Sequence, residues 1–361
     1  MKSYNNLWEK FISEENLRLA KKNALKGKST RPSIVKKLED PDFDSKIMEY
    51  AKNFKNAKHI PKEIYDGIQR KKRTIIVPTF EEQVVHHMAV NVLKPIFQKP
   101  MYFHSYGSLP DKGAHRGKKA IEKYIRNHPK DCKYILKMDI RKYFDSIPHD
   151  ICLAKLRKII KDERFYAVLV EIISVIDKGI PLGFYTSQWI ANWYLTDLDH
   201  YIKQDLKAKF YVRYMDDMVI FDSNKKRLHE MRKSVENYLS SNLGLHLKDN
   251  YQVFKFDYNG KFRCLDFMGF KFYRNRTILR RSIMLKASRK AKKIKEKKNI
   301  YTIRQMLAYL GWLSATNTYG FYLRYIKPYV NFGKLKKYVS KYDLRKGERY
   351  EMDKIALNGA A

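Results

Sequence analysis

Three aspartates in apolar surroundings are the strongest candidates for catalytic residues in this chain. Asp139 ends an apolar run, and Asp216 and Asp217 stand at the tip of a predicted hairpin over 210–221. Adjacent carboxylates in a partly buried turn repel each other, and a divalent cation removes that penalty. Mg²⁺ prefers oxygen ligands and keeps open positions for phosphate and water, so a pair of ions could drive phosphoryl-type transfer. The alternative interpretation is an ordinary hairpin turn with solvated charges.

The elements that must position these aspartates can be predicted from periodicity. We expect a buried strand over 134–140 and two short strands around the polar centre of 210–221. Between them, helical spacing covers 149–177 and 188–202, separated by a glycine-rich turn at 179–183. Helices and strands without strict β–α–β alternation indicate an α+β fold. We find no internal repeat or low-complexity linker, which favours one multi-lobed body.

The composition indicates a folded protein with a polyanionic partner. Against 75 Lys and Arg residues stand only 38 Asp and Glu residues, so the net charge of +37 calls for nucleic acid or an acidic membrane surface. No run approaches the roughly 18 apolar residues that span a bilayer, and the N-terminal residues lack the apolar core of a signal peptide. Three cysteines at spacings that suit neither disulfides nor zinc predict a reduced, cytoplasmic setting. Nucleic acid is therefore the expected partner, and no membrane is expected.

The turn Tyr214-Met215-Asp216-Asp217 resembles the catalytic signature of reverse transcriptases, and four other segments are similar to further motifs of that family in its order and spacing. They are 71–78 (fingers), 139–147 (first metal-binding motif), 179–188 (template and nucleotide contacts) and 267–270 (primer grip). The resemblance covers roughly 60–330. It implies a right-hand polymerase with a small antiparallel palm sheet, with fingers and palm over 1–275 and a basic helical thumb over 276–361.

The resemblance also implies a set of metal ligands. Asp139 and Asp216 would bind two Mg²⁺ ions, for which Mn²⁺ could substitute. The carbonyl of Ile140 would add an oxygen, and Asp217 would complete the carboxylate cluster. The implied activity is RNA-directed DNA polymerisation, and the implied partners are template RNA, a DNA primer with its cDNA, and dNTPs.

Side chains around the incoming nucleotide follow from the same resemblance. Arg73 would grip the triphosphate as a forked donor, or it is a solvated arginine beside two lysines. Phe144 would exclude the sugar 2′-hydroxyl and so select deoxynucleotides; core packing is the alternative. Gly183 would let the backbone approach the base pair. Leu182 stands where a hydrogen-bonding Gln is usual, which implies low fidelity, especially opposite template adenine.

Two further residues of the same motif have a structural alternative. Ser187 and Gln188 open a predicted helix, where they would contact the template. The serine hydroxyl could instead cap that helix.

Within the family, the chain is most similar to the enzymes of diversity-generating retroelements. Leu182-Gly183 and Ser187-Gln188 replace the Gln-Gly and Ser-Pro of group II intron and retron enzymes, and Met215 fits the same group. This implies error-prone cDNA synthesis from a template-repeat RNA (mutagenic retrohoming), with a small helical accessory protein as a possible partner. The alternatives are a reverse transcriptase of phage defence or of a retron, and a catalytically silent RNA-binding scaffold. Two positions depart from the group, since Leu109 replaces an Arg and Tyr251 replaces a Lys.

Residues 276–298 form a strongly basic segment, with Glu296 as its single acidic residue. A solvated helix usually mixes signs, so we predict that this segment tracks duplex phosphates, with a solvated face as the alternative. The candidate nucleic-acid contacts are Arg280, Arg281, Lys286, Arg289, Lys290 and Lys293.

Overall fold

The computed structural model describes residues 2–29, 31–66, 71–256 and 262–344. The chain divides into two compact units, one ending at Lys255 and the other beginning at Phe256. The sequence places the boundary between palm and thumb later, at 275/276. The structural division falls earlier because the strands that precede 276 pack with the helices that follow it. The assignment of fingers, palm and thumb to particular ranges stays a prediction.

Short helices open the first unit. They are α1 (Trp8–Phe11), α2 (Glu14–Ala24), α3 (Pro32–Leu38) and α4 (Phe43–Lys52). Helix α2 begins where the Ser13 hydroxyl accepts a hydrogen bond from the backbone N–H of Asn16 at 3.2 Å. Strands β1 (Lys62–Asp66) and β2 (Lys71–Ile75) form a two-stranded antiparallel sheet.

The long helix α5 (Phe80–Gln98) follows this sheet. It begins with a capping box, in which Thr79 and Glu82 each satisfy the other's backbone N–H. Helix α5 contacts α2 and α4, and most of its surface is buried.

A four-stranded antiparallel sheet lies at the centre of the first unit. Its spatial order is β4-β5-β3-β6, where β3 is Tyr134–Asp139, β4 is Phe210–Tyr214, β5 is Asp217–Asp222 and β6 is Gln252–Lys255. Strands β4 and β5 are buried over nearly their whole length, which explains their mostly apolar sequences. The α+β class is confirmed.

Helices surround this sheet. They are α6 (Ala114–Asn127), α7 (Tyr143–Ser146), α8 (His149–Ile159), α9 (Glu163–Ile173), α10 (Tyr185–Tyr194), α11 (Thr196–Gln204) and α12 (Lys225–Leu243). The prediction of one helix over 149–177 is wrong, because Asp162 starts a new helix by accepting the N–H of Phe165 at 3.1 Å. Helix α12 ends at Leu243, where Gly244 forms the C-cap with φ of +61°.

The second unit consists of a small sheet and helices. Strands β7 (Leu265–Phe267), β8 (Phe270–Phe272) and β9 (Thr277–Leu279) precede α13 (Arg281–Glu296), α14 (Ile300–Ser314) and α15 (Tyr319–Tyr325). The turn at Gly269 lies against Ile283 and Trp312, which ties the sheet to α13 and α14. Among the described residues, no helix has the length and apolar character needed to cross a bilayer.

Candidate active site

A two-residue turn places Asp216 at the end of the β4–β5 hairpin. Tyr214 and Asp217 pair across the hairpin, which leaves Met215 and Asp216 as the turn. Met215 has φ of +56°, in the left-handed region that tight hairpin turns require. Asp217 is also paired with Asp139 at the end of β3. The register therefore brings the three predicted catalytic aspartates to one end of the central strands.

The Asp216 carboxyl is destabilised as an anion. Burial raises the pKa of Asp216 to about 7, with further contributions from the negative charges of Asp139 and Asp217. The Oδ1 atom of Asp139 is buried, and it has no hydrogen-bond partner within the described part of the chain. Neighbouring carboxylates of which one buried oxygen lacks a hydrogen-bond partner form a charge distribution that a cation would stabilise.

Lys248 supplies one positive charge to this cluster. Its ammonium group forms an ion pair with Oδ2 of Asp139, and its backbone N–H donates to the Asp139 carbonyl at 2.8 Å. The contact arises because an isolated bridge between Ile140 and Leu247 lays this segment antiparallel to the end of β3. The hydrogen bonds of the bridge are made by the neighbours of Ile140, and its carbonyl as a metal ligand stays a prediction.

The aspartates fit a divalent cation by donor type, since carboxylate oxygens are the ligands that Mg²⁺ prefers. The fit rests on the Oδ1 atom of Asp139, which has no hydrogen-bond partner among the described residues, and on the raised pKa of Asp216. In the part of the chain that the structure describes, no three His, Cys, Asp or Glu side chains converge into a ready-made metal centre. A cation would therefore bind mainly to the carboxylates of Asp139 and Asp216, with Asp217 beside them. Metal binding stays a prediction.

A fully buried ion pair supports the turn that carries Asp216. The side chains of Arg213 on β4 and Asp199 on α11 are both 0% exposed, and their charged atoms approach to 2.5 Å. Burial alone lowers the pKa of Arg213, but Asp199 raises it above its ordinary value, so the guanidinium stays charged. Its Nη1 atom donates to the carbonyl of Met215 at 3.0 Å. Arg213 thus fixes the backbone directly before Asp216.

The segment at Tyr106 and Gly107 lies against the other side of the turn. The Tyr106 N–H donates to the Arg213 carbonyl at 2.9 Å. A Cβ atom on Gly107 would lie 2.5 Å from Cγ of Met215, so only glycine fits there. The amide of Asn192 donates to the Gly107 carbonyl at 2.9 Å and contacts the Met215 sulfur at 3.1 Å. The turn is therefore held by groups from β4, α10 and this segment.

The glycine of the nucleotide motif is needed for a contact inside the protein. Gly183 has φ of +113°, and a Cβ atom there would lie 2.0 Å from the carbonyl oxygen of Ile76. The N–H of Ile76 donates to the Leu182 carbonyl at 2.8 Å, so the 179–184 loop lies directly on the residue after β2. Leu182 is half-buried. The roles of both residues toward the incoming base pair stay predictions.

Phe144 lies on α7 beside the same loop. Its carbonyl accepts the N–H of Ile180 at 2.8 Å, and a Cβ atom on Gly179 would lie 2.5 Å from that oxygen. The Phe144 side chain is partly buried and packs against the hydrophobic core. Partial burial suits both a sugar contact and core packing, so both interpretations stay open.

The remaining residues of the predicted nucleotide site differ in exposure. Arg73 is exposed on β2, where it pairs across the sheet with Ile64. Gln188 is exposed on α10, whereas Ser187 is only 1% exposed. The capping interpretation of Ser187 is wrong, because Phe184 occupies the N-cap of α10 and no side chain caps this helix. Template contact through Ser187 and Gln188 stays a prediction.

The predicted phosphate contacts lie on and beside α13. Arg281, Arg289 and Lys293 are exposed, whereas Lys286 and Lys290 are half-buried. A separate stripe of the helix buries Ala287, Ala291 and Ile294, and the Lys290 ammonium beside that stripe donates to Oε1 of Gln305 on α14. Arg280 precedes the helix and forms an ion pair with Asp266 at 2.6 Å, which would compete with a phosphate. Burial lowers the pKa of Lys290, and the charges of Lys293 and Lys286 lower it further.

The sequence analysis missed three charged residues of this site. Arg213 interrupts an apolar strand, which is a signal of a buried, paired charge, but its partner Asp199 lies on a separate helix. Lys248 stands three positions before Tyr251, where the family resemblance led us to expect a lysine. Their positions depend on tertiary contacts that no local pattern encodes.

Comparison with known proteins matches residues 60–272 to a family described as reverse transcriptase (RNA-dependent DNA polymerase). The group II intron-encoded protein LtrA of Lactococcus lactis subsp. cremoris is 24% identical over 200 residues, which cover 51% of this chain and 32% of that protein. The retron Ec73 reverse transcriptase of Escherichia coli is 25% identical over 197 residues, which cover 51% of this chain and 59% of that protein. The structure of apo telomerase from Candida tropicalis aligns with a TM-score of 0.46 and 12% identity, over 72% of this chain and 56% of that one. The chain spans less than two thirds of the length of each.

The residues matched to the family include the turn at Met215 and Asp216, Asp139 and the 179–184 loop. They also include the buried pair of Arg213 and Asp199 that supports the turn. The match covers more than half of the chain, and the chain therefore belongs to the reverse transcriptase (RNA-dependent DNA polymerase) family.

Proposed function

We propose that this chain copies RNA into DNA by adding dNTPs to a DNA primer at Asp139, Asp216 and Asp217. The observation that carries the proposal is the register of the central sheet. It sets Asp139 opposite Asp217 and leaves Asp216 in the adjoining turn. Mg²⁺ or Mn²⁺ held by these carboxylates and the Ile140 carbonyl would activate the primer 3′-hydroxyl and stabilise the departing pyrophosphate.

The chain's own residues bind and orient the substrates in this proposal. Arg73 binds the triphosphate of the dNTP through its forked guanidinium. Phe144 lies against the sugar and excludes a 2′-hydroxyl. Arg213 holds the backbone before Asp216, so the carboxylates are positioned before the substrates arrive. The cations of α13 bind the phosphates of the template–primer duplex.

The experiment is primer extension by the purified chain. An RNA template annealed to a DNA primer is incubated with Mg²⁺ and each dNTP in turn, with and without a candidate accessory protein. We expect template-directed addition of deoxynucleotides. RNA binding without any extension in either condition would contradict the proposal and support the scaffold alternative.

We further infer that the chain serves a diversity-generating retroelement, where it makes error-prone cDNA from a template-repeat RNA. Leu182-Gly183, Ser187-Gln188 and Met215 support this assignment. The test is the DNA around the gene, which should contain a template/variable repeat pair and a gene for a small helical protein.

A second candidate is a retron or phage-defence enzyme. The observation that favours it is the similarity to the retron Ec73 reverse transcriptase over 51% of the chain. A structured non-coding RNA beside the gene, without a repeat pair, would support this candidate instead.

A further inference from the structure

The last described stretch of the second unit is rich in aromatic side chains and cations. Eight of the 26 residues in 319–344 are aromatic: Tyr319, Phe321, Tyr322, Tyr325, Tyr329, Phe332, Tyr338 and Tyr342. Six are basic, against Asp343 as the single acidic residue: Arg324, Lys327, Lys334, Lys336, Lys337 and Lys341. We call α15, which includes Arg324, together with the nearby Lys327 the tyrosine surface.

The tyrosine surface leaves its rings accessible. Helix α15 buries none of its residues, although six of its seven are aromatic, aliphatic or glycine. Tyr319 is 69% exposed, Tyr325 is 46% exposed and Leu323 is 38% exposed. Soluble proteins rarely leave apolar side chains clustered at the surface unless that surface binds something. The core of the second unit therefore does not account for these rings.

The geometry of the rings fits stacking. Tyr319 and Tyr322 lie 6.0 Å apart with an interplanar angle of 29°, and Phe321 and Tyr325 lie 5.4 Å apart at 32°. Aromatic faces next to cations are the combination that binds single-stranded nucleic acid, because every base can stack and every phosphate is anionic. A second copy of the chain is a poor occupant, since both copies carry a net charge of +37.

We propose that the tyrosine surface binds single-stranded RNA. Unpaired bases stack on Tyr319 and Tyr325, and the phosphates between them pair with Arg324 and Lys327. This rests on the proposed function in one respect, namely that RNA is the template. It goes beyond that function because a base-paired duplex cannot stack its bases on protein rings, so the ligand is an unpaired stretch.

The test measures the affinity of the full chain for two probes by fluorescence anisotropy. One is an unstructured 12-nucleotide RNA, and the other is an abasic chain with the same number of phosphates. The variants are Tyr319→Ala/Tyr325→Ala, which removes both rings, and Tyr319→Phe/Tyr325→Phe, which keeps them. Tyr301→Ala is the matched control, since Tyr301 is a tyrosine of similar exposure (70%) outside the tyrosine surface. It lies in the first turn of α14, and the last turn of that helix is the one nearer to α15 in sequence.

We expect the double alanine variant to bind the RNA at least about tenfold more weakly, because each stacked base contributes about fivefold or more. The double phenylalanine variant and Tyr301→Ala should stay within about twofold of wild type. The abasic probe should bind wild type and the double alanine variant alike.

Two results would overturn the proposal. One is an unchanged RNA affinity of the double alanine variant, including the case in which that variant instead changes the oligomeric state. The other is an equally weakened affinity for the abasic probe, which would mean that the rings maintain the local structure and do not stack on bases. Failure of the proposed function would look different, because the wild-type chain would then extend no primer whatever its affinity for the 12-nucleotide RNA.

Discussion

The Asp216 carboxyl is buried beside two other carboxyls, and its charge is costly until a cation or a proton compensates it. We expect Asp216→Asn to lower primer extension by about 100-fold or more, because the variant removes a preorganised charge from the site. Single-nucleotide insertion under saturating Mg²⁺ measures this. Asp222→Asn, at the other end of β5, is the matched control. Near wild-type insertion by Asp216→Asn would contradict the assignment of this residue.

The same variant should change how stability depends on pH in the metal-free chain. The pKa of Asp216 is about 7 in the folded state, above the ordinary value of 3.8, so folding favours the protonated form. Its stabilising effect is present below pH 4 and is lost as pH rises through 7. In EDTA, the melting temperature of Asp216→Asn should therefore rise relative to that of wild type as the pH increases from 4 to 7. Parallel curves would argue against the raised pKa.

Phe144 tests the selection of sugar. Phe144→Ala should open space beside the 2′-carbon, so that ribonucleotide incorporation rises while base pairing is little altered. Insertion of matched dNTPs and rNTPs gives the selectivity directly. If the ratio stays constant and only the melting temperature falls, Phe144 is a core residue.

Leu182 tests the selection of base. Leu182→Gln adds an amide that can hydrogen-bond near the new base pair, and such a contact provides about 10- to 200-fold discrimination. Misincorporation opposite template adenine should fall, as measured by insertion of each mismatched dNTP. An unchanged error spectrum would move the source of infidelity elsewhere, for example to Leu109.

At the scale of elements, the β4–β5 hairpin is held by a charge buried beneath it. Arg213→Lys keeps the charge but cannot bond Asp199 and the Met215 carbonyl together, so the turn should shift. We expect kcat to fall by about tenfold or more with a smaller change in the KM for dNTPs, because small displacements of catalytic groups are costly. Stability should also fall, since a lysine cannot replace all the hydrogen bonds that the buried guanidinium makes to Asp199, Asn192 and Met215.

The control for Arg213 is Arg227 on α12, whose partner Asp222 lies on the same hairpin. Arg227 pairs with Asp222 at 3.1 Å near the far end of β5, and its side chain is 43% exposed. Arg227→Lys should leave kcat near that of wild type. If Arg213→Lys lowers stability but keeps kcat per folded molecule, the buried pair supports the fold and not the position of Asp216.

Helix α13 carries cations outside its buried stripe of Ala287, Ala291 and Ile294. Replacing Lys290 and Lys293 by Glu should weaken binding of any template–primer duplex alike, because phosphate contacts carry no sequence information. The slope of log affinity against log salt should shrink by about one for each phosphate that no longer has a lysine partner. Lys225→Glu/Lys226→Glu, at the exposed start of α12, reverses the same charge and should leave the slope near wild type. Equal slopes in both variants would mean that the cations of α13 are a solvated face and do not contact phosphates.

At the scale of the whole molecule, local patterns predicted the elements better than the contacts between them. The hairpin at 210–221 followed from two short apolar runs around a polar centre, which is a local property. The buried pair of Arg213 and Asp199 joins a strand to a separate helix. The early division at Lys255 likewise reflects packing that sequence spacing does not encode.

The net charge of +37 belongs to the same scale. It predicts strong, salt-sensitive attraction to any nucleic acid, but it does not distinguish template, primer and product. That distinction has to come from the shape of individual surfaces.

The contact between Gly183 and Ile76 bears on how such a polymerase can be altered. Position 183 cannot accept any side chain, since the Ile76 carbonyl already occupies the space where a Cβ atom would lie. Leu182 next to it contributes only its backbone carbonyl to this contact, so its side chain can vary while the loop keeps its place. If the side chain of Leu182 sets fidelity as proposed, the two neighbours divide the work, with Gly183 keeping the loop in place and Leu182 setting the error rate. A single codon could then tune the error rate, in nature or in the laboratory, without rebuilding the loop.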